Sequence, residues 1–66
     1  MKLTVNGLER DLPEGLTVAG LLERDREPAG HVVVEVNGDF LPAAGYRTRE
    51  LRDGDRVEII LPAFGG

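Results

Sequence analysis

The residues of this chain best suited to chemistry are its last two, Gly65 and Gly66. A carboxylate that follows two residues without side chains can enter a narrow channel, and glycine accepts backbone angles that other residues refuse. An enzyme that uses ATP could join this carboxylate to AMP, and a sulfur or amine nucleophile could then displace the AMP. In that chemistry the chain is the substrate and the carrier, and the catalyst is another protein.

The composition argues against most catalytic chemistry within the chain itself. Its 66 residues include no cysteine and one histidine, His31. These counts exclude thiol catalysis, a thiolate zinc site, iron–sulfur ligation and a multi-histidine metal site. We therefore expect no enzyme activity, no cofactor and no metal. His31 is expected to be a solvated residue at the start of a strand.

The charge balance restricts the class of partner. Eight Lys and Arg stand against twelve Asp and Glu, a formal net charge of −4. Nucleic-acid binding requires a basic surface, and so does binding to an anionic membrane, so we expect neither partner. No apolar stretch approaches the roughly 20 residues of a membrane span, and no signal-peptide pattern is present. The sequence is expected to be mature as written and cytoplasmic.

The first half of the chain predicts a hairpin and a helix. Residues 1–5 alternate apolar and polar side chains, as in a half-buried strand, and Asn6-Gly7 is typical of a type I′ hairpin turn. Residues 8–12 are the predicted return strand. Apolar residues at helical spacing then predict a helix over 17–26, with Thr17 as its N-cap.

The second half predicts three more strands, at 31–36, 40–41 and 56–61. The segment 43–52 is predicted to be irregular, with Tyr46 and Leu51 as its anchors. A hairpin, a crossover helix and a closing strand together predict an α+β fold of the β-grasp, ubiquitin-like type. Its mixed sheet of four to five strands has one face covered by one helix. The domain is predicted to span 1–61, and a flexible tail to span 62–66 because Pro62 stops the last strand.

The alternation also separates an inward set of side chains from an outward set. The expected core is Leu3, Val5, Leu12, Val18, Leu21, Leu22, Val32, Val34, Val36, Leu51, Val57, Ile59 and Leu61. Gly20 is interpreted as a close approach of the helix to the sheet. Period two places Val33 and Ile60 on the open face, where we predict a partner-binding patch with Phe64 at its edge.

Three acidic residues near the last strand allow two interpretations. Asp53, Asp55 and Glu58 could form an acidic rim that steers docking onto a basic partner surface. They could equally be the polar side chains of an ordinary solvated turn. A metal site at this position is the least favoured interpretation, because the aspartates lack a full ligand set.

Several motifs resemble the ThiS/MoaD family of ubiquitin-like sulfur carriers over essentially the whole chain. They are the helix opening at 17–22, the strand–turn–strand at 34–42, the aromatic Tyr46, the Asp-Gly-Asp entry to the last strand at 53–59, and the terminal Gly65-Gly66. The sequence is most similar to the thiamine-biosynthesis branch of that family, ThiS.

The resemblance implies a specific function. In this family a ThiF-type enzyme adenylates the terminal glycine with ATP, and the carboxylate becomes a thiocarboxylate whose sulfur usually comes from a cysteine desulfurase. Thiazole synthase, ThiG, then uses that sulfur to build the thiazole ring of thiamine. Carried onto this chain, the resemblance makes Gly66 the thiocarboxylate residue, and Gly65 and Phe64 the residues that give it access.

Other functions stay open on the sequence alone. Molybdopterin synthesis and tRNA thiolation would use the same carrier chemistry. A ubiquitin-like modifier would pass the adenylate to a lysine instead. A β-grasp interaction module would have an inert tail and no sulfur role.

Overall fold

The computed structural model describes residues 1–62, which form a five-stranded mixed sheet with one α-helix packed on one face. The elements are β1 (Lys2–Val5), β2 (Leu8–Asp11), α1 (Val18–Arg24), β3 (Val33–Val36), β4 (Asp39–Leu41) and β5 (Arg56–Ile60), with a short 3₁₀ helix at Ala43–Gly45. The strands lie in the order β2-β1-β5-β3-β4. The predicted β-grasp class is confirmed.

Two Asn-Gly turns close the two hairpins of the sheet. The φ angles are 51° at Asn6 and 80° at Gly7, and 55° at Asn37 and 86° at Gly38. Positive φ at both central residues is typical of a type I′ turn, whose twist matches that of the flanking strands. β1 therefore pairs antiparallel with β2, and β3 with β4. β5 joins the hairpins, parallel to β1 and antiparallel to β3.

Helix α1 begins where the sequence predicts. The Thr17 hydroxyl oxygen accepts a hydrogen bond from the Gly20 N–H at 3.1 Å, which confirms the N-cap. The first two N–H groups of the helix donate to carbonyls of the later loop, from Val18 to Arg49 at 3.0 Å and from Ala19 to Tyr46 at 2.8 Å. The first-turn donors of a helix have no partner within the helix itself. The loop after the 3₁₀ helix therefore fixes the position of α1.

The helix ends at Arg24, two residues before the predicted end. Arg26 adopts a left-handed φ of 56°. The Glu27 N–H then donates to the Leu22 carbonyl at 2.8 Å, and the Arg26 N–H to the Glu23 carbonyl at 3.1 Å. This pair of bonds is a Schellman motif, which terminates a helix by satisfying its last carbonyls.

An ion pair ties the end of α1 to the edge strand β2. The Arg10 guanidinium donates two hydrogen bonds to the Asp25 carboxylate, at 2.5 and 3.0 Å. Donation from Arg10 lowers the pKa of the Asp25 carboxyl below its usual value, against the opposing effect of burial. The pair lies on the helix side of the sheet, because Arg10 is opposite the buried Leu3 in the β1–β2 register.

The core lies between α1 and the sheet and largely matches the prediction. Its buried side chains are Leu3, Val5, Leu12, Val18, Leu21, Leu22, Val34, Val36, Tyr46, Leu51, Val57 and Ile59. The anchors Tyr46 and Leu51 are thus confirmed, whereas Val32 is only partly buried.

Two sequence expectations about packing are wrong. Leu61 is 61% exposed, because β5 ends at Ile60 and the backbone no longer turns the next side chain towards the core. Gly20 does mark a close approach, but the neighbour is not the sheet. A Cβ at Gly20 would lie 2.8 Å from Leu16 Cδ1, so the side chain that crowds this glycine comes from the residue just before the N-cap.

Candidate functional site

The sheet face that α1 leaves uncovered carries the predicted apolar pair. Val33 and Ile60 are directly opposite each other in the β3–β5 register. Their neighbours Val34 and Ile59 are buried on the helix side, so both residues of the pair point to the open face. Ile60 is 44% exposed and Val33 is half-buried. The placement is confirmed, and the role in partner binding stays a prediction.

Two residues that sequence reasoning missed belong to the same face. Glu35 is opposite Glu58 across β3–β5, and opposite Phe40 across β3–β4. The Phe40 side chain is 65% exposed. A signal was present in the sequence, because the two-residue turn Asn37-Gly38 sets the register that places Phe40 beside Glu35. We call Val33, Glu35, Phe40, Glu58 and Ile60 the open-face patch.

The open-face patch also holds two like charges side by side, Glu35 and Glu58. Across residues 1–62, neither Glu35 nor Glu58 forms an ion pair. Arg56 lies on the same face, two residues before Glu58 along β5, and its side chain contacts neither carboxylate at ion-pair distance. Like charges directly opposite each other on adjacent strands destabilise a sheet. The repulsion between the two carboxylates therefore lowers the stability of the chain on its own.

The structure separates the three residues of the predicted acidic rim. Asp55 is 8% exposed, so its place on an exposed rim is wrong. Its carboxylate accepts hydrogen bonds from Asn37 Nδ2 at 2.9 Å and from the Arg52 N–H at 2.8 Å. Asp53 is exposed, but its carboxylate accepts the Lys2 N–H at 2.6 Å and so closes the turn onto β1. Glu58 alone lies on the open face.

The remaining candidate residues lie away from this patch or outside the described residues. His31 is exposed in the turn before β3, not in the strand itself. Phe64, Gly65 and Gly66 lie outside residues 1–62. Within those described residues, no three or more His, Cys, Asp or Glu side chains gather as they would around a metal ion. The one α-helix of the same stretch is too short to cross a membrane.

The open-face patch reaches the point where the described chain ends. Ile60 is the last residue of β5, and only Leu61 and Pro62 follow it in the structure. The arrangement offers an exposed surface at the C-terminal end of the described residues.

Comparison with known proteins identifies relatives along the whole chain. Residues 3–66 match the model of the ThiS family. The crystal structure of a thiamine biosynthesis protein (ThiS) from Geobacter metallireducens is similar with a TM-score of 0.87 and 36% identity, over all of both chains. A solution structure of a thiamine biosynthesis protein from the same organism gives a TM-score of 0.80 and 38% identity, over all of this chain and 88% of that one.

One further relative is much longer than this chain. A thiazole synthase of Paramagnetospirillum magneticum (strain ATCC 700264 / AMB-1) is 36% identical over 66 residues. The match takes in all of this chain, yet the chain spans only 20% of the length of that protein.

Proposed function

The chain belongs to the ThiS family, and from this membership we propose that it is a sulfur carrier of thiamine biosynthesis. The observation that carries the proposal is the family match over residues 3–66, which includes Gly65 and Gly66. In this proposal residues 62–66 are the tail, and Gly66 carries the reacting carboxylate. The chain acts in the cytoplasm as a substrate of other enzymes and is not a catalyst.

The proposed reaction has two steps. A ThiF-type enzyme joins the Gly66 carboxylate to the AMP part of ATP and releases pyrophosphate. In the second step a persulfide, supplied through a cysteine desulfurase, displaces AMP, and a thiol reductant then cleaves the S–S bond of the acyl persulfide and leaves a thiocarboxylate. Gly65 and Phe64 are the tail residues that would give Gly66 access to the active site of each partner.

The proposed sulfur acceptor is a thiazole synthase. One protein of that name contains a stretch similar to this chain within a polypeptide five times as long. Joining two modules in one polypeptide raises their effective concentration for each other, which favours pairs that must meet. That relative supports a thiazole synthase, rather than a molybdopterin or tRNA enzyme, as the acceptor of this chain's sulfur.

The test of the proposed function is the intact mass of the chain. Incubation with ATP, the ThiF-type enzyme, a cysteine desulfurase, cysteine and a thiol reductant is expected to add about 16 Da, because one oxygen is replaced by sulfur. Subsequent addition of thiazole synthase and its substrates is expected to return the mass to its starting value. A chain whose mass never changes would be an inert interaction module. A labelled chain that is discharged only by a molybdopterin or tRNA enzyme would contradict the thiamine assignment.

We further propose that both partners dock on the open-face patch in turn, because the tail can enter only one active site at a time. Ile60 and Val33 supply its apolar centre, and Glu58 its charge. Asp53 and Asp55 are left out of the proposed surface, since their carboxylates are engaged in hydrogen bonds within the chain. A few residues near the centre of an interface usually supply most of its affinity.

Ile60→Asp is expected to weaken both complexes by about 2 kcal/mol, the size expected for a central hot spot. The chain should still fold, because the Ile60 side chain is 44% exposed. The measurement is the Kd of the variant for the ThiF-type enzyme and for thiazole synthase. Leu8→Asp is the matched control. Leu8 is 68% exposed and, as the cross-strand partner of the buried Val5, it lies on the helix side of the sheet and not on the open face. Equal losses for both variants would contradict docking on the open face.

A further inference from the structure

We propose that Glu35 and Glu58 together bind one arginine of the adenylating enzyme, whose guanidinium also stacks on Phe40. This inference rests on the proposed function and specifies the chemistry of its first complex. The partner is therefore recognised by a cation held between two carboxylates, and not by apolar contact alone.

The register of the sheet places the three side chains side by side. Glu35 has Glu58 directly opposite on one side and Phe40 directly opposite on the other. Residues in such cross-strand pairs have their Cβ atoms about 5 Å apart. The three side chains thus form one row across β5, β3 and β4, on the face that α1 leaves uncovered.

This row carries two negative charges that no cation of the described residues neutralises. The two carboxylates have no ion-pair partner among residues 1–62. A cation placed between them would remove their mutual repulsion as well as adding its own attraction. The free chain therefore has a destabilising repulsion that a basic ligand would relieve, and the exposed Glu58 and Phe40 on either side of the half-buried Glu35 leave room for one.

The shape of the row selects arginine among the basic residues. A guanidinium presents five N–H donors in a planar fork, so it can donate to two carboxylates at once, and its flat face stacks on aromatic rings. The Phe40 ring is 65% exposed beside Glu35. A lysine ammonium is a compact point charge and would make less use of this arrangement.

The reaction itself favours the adenylating enzyme as the source of this arginine. Adenylation must bring a chain of net charge −4 to the polyphosphate of ATP, which is also an anion. Complementary charge at the docking surface speeds encounter and offsets this repulsion. Thiazole synthase receives the chain after ATP has been used, so it does not face the same repulsion.

The experiment compares Glu35→Gln, Glu58→Gln and the double variant with the original chain. Each single variant is expected to weaken binding to the ThiF-type enzyme about tenfold by calorimetry, as for a charge pair desolvated in an interface. Each is also expected to raise the Tm of the free chain by about 2–4 °C, because the repulsion is gone. The double variant should lose little more than either single one, since both carboxylates share one cation. Phe40→Leu should weaken binding about threefold while keeping an apolar side chain.

Glu9→Gln is the matched control for net charge. Glu9 is an exposed carboxylate on the same face, opposite Thr4 at the far edge of the sheet. It should change neither the Tm nor the affinity appreciably. A loss of affinity in Glu9→Gln equal to that in Glu35→Gln would mean that only net charge matters and would overturn the proposal. So would Glu35 and Glu58 variants that bind as the original chain does, or additive losses in the double variant.

The mass assay separates this inference from the proposed function. If the original chain gains about 16 Da and the Glu variants bind unchanged, the carrier function stands and the arginine site is wrong. If the original chain neither binds the ThiF-type enzyme nor gains mass, both are wrong. An enzyme variant in which the arginine that binds Glu35 and Glu58 is replaced by an acidic residue should bind the original chain more weakly. The same enzyme variant should bind the double variant of the chain as well as the original enzyme does.

Discussion

A chain that lacks Gly66 is expected to be no substrate for the ThiF-type enzyme, although its thermal melt stays the same. The deletion leaves Gly65 with a carboxylate of the same chemical kind. That carboxylate stops short by one residue, about 3.3–3.6 Å of extended chain. Reacting atoms must approach to about 3–3.5 Å, and misplacement by 1 Å can lower a rate about 100-fold. ATP–pyrophosphate exchange should therefore fall by at least that factor.

The same exchange assay applies to Gly65→Val, which adds a β-branched side chain beside the reacting residue. A loss of about 100-fold is expected here also, because the added bulk obstructs entry to a narrow channel. The fold should be unaffected in both variants, since every buried hydrophobic side chain of residues 1–62 lies between Leu3 and Ile59.

Gly30→Val is the matched control for these variants. Gly30 is exposed, and a Cβ built there has no neighbour within 4 Å. Its exchange rate should equal that of the original chain. Exchange that persists after loss of Gly66, within tenfold of the original, would contradict the assignment of the reacting carboxylate. A large fall in Tm would show instead that the last residues stabilise the fold.

Local signals in the sequence were sufficient for most of the sheet and for the start of the helix. Asn6-Gly7 and Asn37-Gly38 define turns of fixed length, so each hairpin and its register follow from neighbouring residues alone. Thr17 could likewise be predicted as an N-cap, because its hydroxyl bonds a backbone group only three residues away. Where an interaction spans a few residues, the pattern of side chains was enough.

Features that depend on an unusual residue or on a distant partner could not be predicted in this way. The helix stops two residues early because Arg26 takes the left-handed position that glycine usually fills, and arginine gives no such signal. Leu61 looked like a core residue because the alternation continues through it. The length of β5 is instead set by β3, whose first residue, Val33, pairs with Ile60.

The candidate site shows the same division. The open-face position of Val33 and Ile60 followed from period two. The row of Phe40, Glu35 and Glu58 required two registers to be combined, one from a local turn and one from the long-range pairing of β3 with β5. Only the first register was available from the sequence.

Asp55→Ala is expected to lower the free energy of unfolding by about 3 kcal/mol, and the Tm by about 15 °C. The Asp55 carboxylate is buried and accepts from Asn37 Nδ2 at 2.9 Å and from the Arg52 N–H at 2.8 Å. Removal of an acceptor from partly buried donors costs more than the net value of the bonds, because the donors are left without a protein partner.

The position of these donors explains why the loss should affect the whole sheet. Asn37 lies in the β3–β4 turn and also accepts the Arg56 N–H at 2.8 Å, through its Oδ1 atom. Asp55 directly precedes β5, and its carbonyl accepts the Thr4 N–H of β1 at 3.0 Å. The carboxylate thus joins the turn before the central strand β5 to the turn of the neighbouring β3–β4 hairpin.

Two further variants decide between this structural role and the acidic rim that the sequence allowed. Asp39→Ala is the matched control, because Asp39 is exposed, and surface changes of this kind usually shift stability by less than about 0.5 kcal/mol. Asp53→Ala should cost about 1 kcal/mol, the value of one exposed bond to a carboxylate. Denaturant unfolding measures all three. If Asp55→Ala were as stable as Asp39→Ala but bound the ThiF-type enzyme more weakly, the rim interpretation would be restored; a large loss of stability, with unchanged affinity in the folded fraction, assigns Asp55 to the fold.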